Sequence, residues 1–228
     1  MNGIVQRTRS RWVLGCRRHG DRVLEGGGPF VANDALDASL LQSVGGPIAV
    51  LPTADAFENP DDLIESANQW ARRLALDIVV CSVYTRADAR EGHHAEAIRS
   101  AKAVVLAGDS SIHLRSTLLN TPVWEAIEAQ GETGIVIGVG NCASALCDPM
   151  IDPRGGALGL GLGLVREFTA IVESEQWSTE RMLRTRSFVR GSIAVIPTGS
   201  AVVNRDGEWS VFGDATIQVN SSEETGGV

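Results

Sequence analysis

One stretch constrains this chain more than any other: residues 134–150, GIVIGVGNCASALCDPM. It opens with a short apolar run rich in β-branched residues and passes through a glycine-rich turn at Gly138 and Gly140. It then continues in small residues suited to starting a helix. That order describes a buried strand, a sharp turn and a helix N-terminus, the place where α/β proteins present a nucleophile or hold an anion. The tip of the turn falls on Gly140, where a nucleophilic enzyme needs a serine or cysteine.

The 228 residues are 43% hydrophobic, enough for one domain with a sizeable core. A net charge of −8 argues against nucleic acid as a partner, because phosphate binding needs a basic face. Cys16, Cys81, Cys142 and Cys147 show no CxxC spacing, and the arginine-rich start lacks the apolar segment of a secretory signal. Reduced thiols and a cytoplasmic protein are the expectation. No apolar run approaches the roughly 20 residues of a membrane span, so no membrane partner is expected. With neither repeat nor linker, the expected organisation is a basic arm over 1–22, one α/β domain over 23–219 and a disordered tail over 220–228. The sequence admits a homodimer.

The remaining segments read as alternating strands and helices. Strands are expected near Val23, over 47–51, 77–83 and 103–108, and over 134–138 in the opening stretch. Asn59-Pro60 should start a helix whose Leu63, Ala67, Trp70, Ala71 and Leu74 face the core. Further helices are expected over 94–100, from Asp109-Ser110-Ser111 through Leu119, and from Thr121-Pro122 to Gln130, closed by Gly131. Nearly unalternated apolar strands between helices imply a doubly wound, mostly parallel sheet covered on both faces. The loops after Leu51, Val83, Leu106 and Ile137 then share one rim, where the site of such a sheet lies. Beyond a Gly/Leu alternation at 157–165, a helix should open at Ser178. Strands over 193–196, 201–203, 209–212 and 216–219, with an Asp206-Gly207 turn, read as antiparallel.

Two site types compete poorly. Gly138-x-Gly140-x-x-Ala143 matches a dinucleotide fingerprint, but several strands precede it and Pro149 cuts the following helix short. No acidic ribose ligand ends a strand about 20 residues on. No cofactor is therefore expected. His93 and His94 are neighbours in sequence, and adjacent helical residues do not share a face. No Cys/His cluster has zinc spacing, so no metal is expected.

Between Val23 and Val219 the chain resembles the cyanophycinase and dipeptidase E group of serine peptidases, which have a class I glutamine amidotransferase-like fold. The resemblance rests on Leu51-Pro52-Thr53-Ala54, on residues 104–108 followed by His113-Leu114, and on Thr121-Pro122-x-Trp124. It rests further on residues 147–156 with 161–165, on Trp177-Ser178-x-Glu180-Arg181, and on Asp206-Gly207-x-Trp209-x-Val211-x-Gly213. It implies an elbow of the form G-x-S-A-G-A, whose serine attacks a peptide carbonyl and whose proton passes to a histidine.

Set on this sequence, the implied serine is Gly140. The residue after it, which lends a backbone N–H to the oxyanion hole, is Asn141. The other oxyanion loop is Gly108-Asp109, where a carboxylate repels developing negative charge. The implied histidine falls near Glu173. Loss of nucleophile or base costs about 10⁶ in rate. The resemblance therefore implies a catalytically inactive relative that binds a small peptide or amino-acid derivative, or serves as an interaction subunit. The alternative is an active hydrolase: serine-type, or amidotransferase-like if the strand runs two residues longer and brings Cys142 to the tip, with His113 as its base.

Overall fold

The computed structural model describes residues 20–218. Most of the expected arm and all of the expected tail lie outside the described residues. Asp21 and Arg22, expected in the arm, instead open the first strand.

The strands in chain order are β1 Asp21–Glu25, β2 Ile48–Leu51, β3 Ile78–Val80, β4 Ala103–Leu106, β5 Ile135–Val139, β6 Cys147–Asp148, β7 Met150–Ile151, β8 Leu158–Gly159, β9 Val165–Arg166, β10 Phe168–Val172, β11 Ser192–Ile196, β12 Ala201–Arg205, β13 Glu208–Phe212 and β14 Thr216–Gln218. The helices are α1 Asp34–Leu41, α2 Pro60–Leu74, α3 Gly92–Ser100, α4 Ser111–Leu118, α5 Pro122–Thr133, α6 Asn141–Leu146 and α7 Thr179–Phe188.

The main sheet runs β13-β12-β1-β5-β4-β2-β3. Its five strands from β1 to β3 are mutually parallel, and the β12–β13 hairpin adds antiparallel to β1. Successive residues of each strand face opposite sides. Ala49 and Leu51 of β2, with Val104 and Leu106 of β4, enter one core with α3 to α6. Ile48, Val50 and Val105 enter the other with α1 and α2. Both faces are thus buried, as the apolar strand runs require. All five core positions expected on α2 are buried.

Local signals hold at several ends. Ser110, Thr121 and Ser178 each accept a backbone N–H from the first turn of their helix. Asn59 does not cap α2; its side chain donates to Asp62 instead. Gly131 lies inside α5, which continues to Thr133. Asp206 and Gly207 both have positive φ, as a tight β12–β13 hairpin turn requires.

The C-terminal half differs from the expectation of antiparallel strands alone. β10, whose FTAIV run is wholly buried, pairs parallel with β11 at the centre of a second sheet, β14-β11-β10-β6-β9. That sheet packs Phe168, Ala170, Val172, Ala194 and Ile196 into the same core as α6. Among the described residues, no helix is long and apolar enough to cross a membrane.

Candidate active site

The strand of the opening stretch ends at Val139, and the turn residue is Gly140, at φ 58° and ψ −128°. This is a conformation that L side chains rarely adopt and that glycine takes freely. The Gly140 N–H donates to the Glu25 carbonyl at 3.0 Å, and its own carbonyl accepts from Ala143 N at 2.9 Å. Behind it, α6 packs back so closely that a Cβ on Gly138 would sit 2.7 Å from Leu146 Cδ1 and 2.9 Å from Ala143 Cα. A Cβ at Gly140 would meet nothing nearer than Gly27 Cα at 3.8 Å. The turn has room for a side chain and carries none.

The loop after β4 is tied to α6. Asn141 Nδ2 donates to the Asp109 carbonyl at 2.9 Å, and the Cys142 thiol approaches the Gly108 carbonyl at 3.5 Å. The Asp109 N–H, a donor of the oxyanion loop implied by resemblance, is directed elsewhere: it donates to Asp55 Oδ1 at 2.7 Å. A carboxylate thus occupies the place where an oxyanion would need that N–H.

Glu173 stands at the end of β10 in left-handed backbone, its N–H bonded to the Gly26 carbonyl at 2.8 Å. Its side chain lies against Gly27, where a Cβ would come within 2.8 Å of Glu173 Cγ. Gly27 therefore adjoins both Gly140 and Glu173. Partial burial, then the charges of Asp109 and Glu175, raise the Glu173 carboxyl above its usual range. Burial raises Asp55 as well, with Asp109 and Glu58 adding to it and the Asp109 N–H opposing it.

The cysteine alternative does not fit this geometry. The strand does not extend two residues further, and Cys142 is fully buried in the first turn of α6. Burial, with Asp55 and Asp109 nearby, pushes its thiol well up, away from a reactive thiolate. His113 is turned elsewhere: Nε2 lies 2.8 Å from the Tyr84 carbonyl and 3.2 Å from Thr117 Oγ1, and the ring packs edge-on to Phe57.

Beside the elbow lies a cavity of about 230 Å³ whose lining includes Asn141, Ser144, Ile151, Glu173, Trp177 and Arg181. The Arg181 guanidinium stacks 3.7 Å from the Trp177 ring centroid and donates to the Pro153 carbonyl at 2.7 Å. Ser144 is buried and accepts the Ile151 N–H at 3.1 Å. Sequence reading placed Trp177 and Arg181 in a motif without giving them a place at the site. The strand β10, which it missed, is what carries Glu173 to the rim.

Beneath the rim a second acidic group is wholly buried. Asn33 Nδ2 donates to Glu25 Oε2, and Trp70 Nε1 donates to Asp37 Oδ2, both at 2.9 Å. Burial, reinforced by Asp37, holds the Glu25 carboxyl well above its ordinary range. Burial raises Asp37 to about 6, against hydrogen bonds from Glu25 and Trp70.

Away from the elbow, His93 and His94 do not diverge as adjacent helical residues were expected to. Their ring centroids are 3.9 Å apart.

No protein-family model matches this chain, and no curated protein does. Among solved structures, a peptidase from an acI-B1 Actinobacterium superposes with a TM-score of 0.78 at 23% identity, covering 91% of this chain and 94% of its own. A Listeria monocytogenes EGD-e protein assigned as a peptidase E gives a TM-score of 0.66 at 17% identity, covering 85% and 98%. The fold is that of these peptidases. At such identities the likeness concerns the fold, and the site must be argued from its own residues.

Proposed function

We propose that this protein is a cyanophycinase/dipeptidase E-like domain without peptidase activity, which keeps the elbow and the adjoining cavity for binding a small peptide or amino-acid derivative. The observation that carries this reading is Gly140: the turn holds elbow-like backbone angles and open space, with no side chain to attack a carbonyl. Two further features support it. Asp55 holds the Asp109 N–H, and Glu173, a carboxylate among carboxylates, stands near the position that the resemblance gives to the histidine. The solved structures named as peptidases lend the fold on which the comparison of positions rests.

The cavity suits a small ligand. Its volume of about 230 Å³ is below the roughly 300–1,000 Å³ of sites for drug-sized molecules. Its wall carries both a carboxylate, Glu173, and a guanidinium, Arg181, which is complementary to a zwitterion. Calorimetry with aspartyl and β-aspartyl dipeptides tests the binding half of the reading. Saturable heat that persists with the dipeptide intact supports it. Absence of binding at millimolar peptide removes the ligand class.

A further inference from the structure

The start of α3 holds a group of side chains that the elbow does not use. Glu91 precedes the helix in extended backbone, and His93 and His94 lie in its first turn. No earlier turn of helix crowds these two residues, so their rings can swing together. The His93 and His94 centroids lie 3.9 Å apart with planes at 39°, and His93 Nδ1 is 3.3 Å from Glu91 Oε2. One ligand atom from each of the three residues falls within 4.8 Å of the others, which no other group of three such residues matches among the described residues. They lie where the loop that follows β3 enters α3; β3 is the edge strand of the main sheet, three strands out from β5.

From this we infer that Glu91, His93 and His94 form a surface site for a divalent transition metal of the zinc class. Two imidazoles and one carboxylate are a ligand set that zinc accepts, leaving a fourth position to water. Imidazole nitrogen favours zinc, nickel and copper over magnesium and calcium, which prefer all-oxygen sites. Tetrahedral zinc with bonds of about 2.0 Å needs ligand atoms roughly 3.3 Å apart. The ligand atoms already lie within 4.8 Å of one another, modest side-chain rotation closes the remaining gap, and the His93 and Glu91 side chains, 67% and 54% exposed, have the freedom for it. The ligand set carries one negative charge, and the chain as a whole is acidic, so a divalent cation is attracted rather than repelled.

The test is a zinc titration of the full chain against a chromophoric chelator, with histidine ring protons followed by NMR. Wild type should bind one zinc at this site, with the ring signals of His93 and His94 moving. His93→Ala with His94→Ala should abolish that site. Glu91→Gln should weaken it at least about 10-fold, on the scale lost when even a supporting partner of a metal ligand is removed. These residues are at the surface, and circular dichroism should show the fold unchanged. Cys16→Ser with His19→Ala controls for a competing site in residues outside the described range and should leave the binding intact. Magnesium should not compete. Zinc binding retained in the double-histidine variant, or absent from wild type up to millimolar zinc, overturns the proposal.

Discussion

At the end of β5 the backbone holds Gly140 at φ 58° and ψ −128° and α6 is clamped onto the strand at Gly138. Across the rim, the facing wall carries Asp55, Asp109 and Glu173. The turn has the geometry that presents a nucleophile; the wall has charges that oppose the chemistry of one. Backbone geometry depends on strand, turn and helix packing, which many residues enforce together. The chemistry depends on a few side chains, each replaceable without disturbing the packing. The contrast between the two regions is therefore a contrast between what the fold preserves and what a site needs.

The largest effect that would sharpen this contrast is expected beneath the turn, where Glu25 supports Gly140 through its carbonyl. Asp37, ordinarily at 3.8, is raised to about 6 in the fold. A raised carboxyl binds its proton more tightly folded than unfolded, so its contribution to stability is present below about pH 4 and is lost as pH rises through about 6. That rise corresponds to at most about 3 kcal/mol. Urea unfolding across this range should show a smaller loss with rising pH in Asp37→Asn than in wild type. An identical slope in both would mean that the pair is hydrated rather than buried.

The turn itself can be broken at two glycines with different expected costs. Gly138→Ala drives a methyl into Ala143 and Leu146 and should cost about 1–3 kcal/mol by overpacking. Gly140→Ala meets no such contact and should cost only the strain of a rarely populated positive-φ backbone, about 1–2 kcal/mol. Denaturant midpoints give both values. A Gly140 variant as stable as wild type would contradict the strained turn, and with it the elbow.

The smallest expected change concerns the thiols. Iodoacetamide at neutral pH should label Cys142 slowly, no faster than Cys81, whose buried thiol is pushed up to about 11. Rapid labelling confined to Cys142 would restore the cysteine reading that the burial of its thiol argues against.

Much of the parallel sheet was legible because each strand is a continuous apolar run and three of the helices between them open at Pro60, Ser110 or Thr121. Gly138 and Gly140 marked the turn by themselves, since close packing and positive φ both select glycine. Of the second sheet, β11 and β14 were legible as an antiparallel pair, but β6, β9 and β10 were not. Strands β6 and β9 are two residues each, and β10 follows β9 without a turn signal, so neither length nor punctuation revealed these three. The close approach of His93 and His94 was missed for a related reason. Helical spacing forbids it in mid-helix, but it fails at the first turn, where side chains can swing clear. The bond from Asp109 N–H to Asp55 joins residues 54 positions apart, and no local pattern encodes such a contact.

The central claim, an elbow without its nucleophile, is tested most directly by turnover. Purified full-length protein incubated with aspartyl and β-aspartyl dipeptides should release no amino acids above the buffer control. Gly140→Ser should release none either, because the Asp109 N–H remains bonded to Asp55 and Glu173 remains a carboxylate. Steady release by the wild-type protein, insensitive to the residue at 140, would contradict the account.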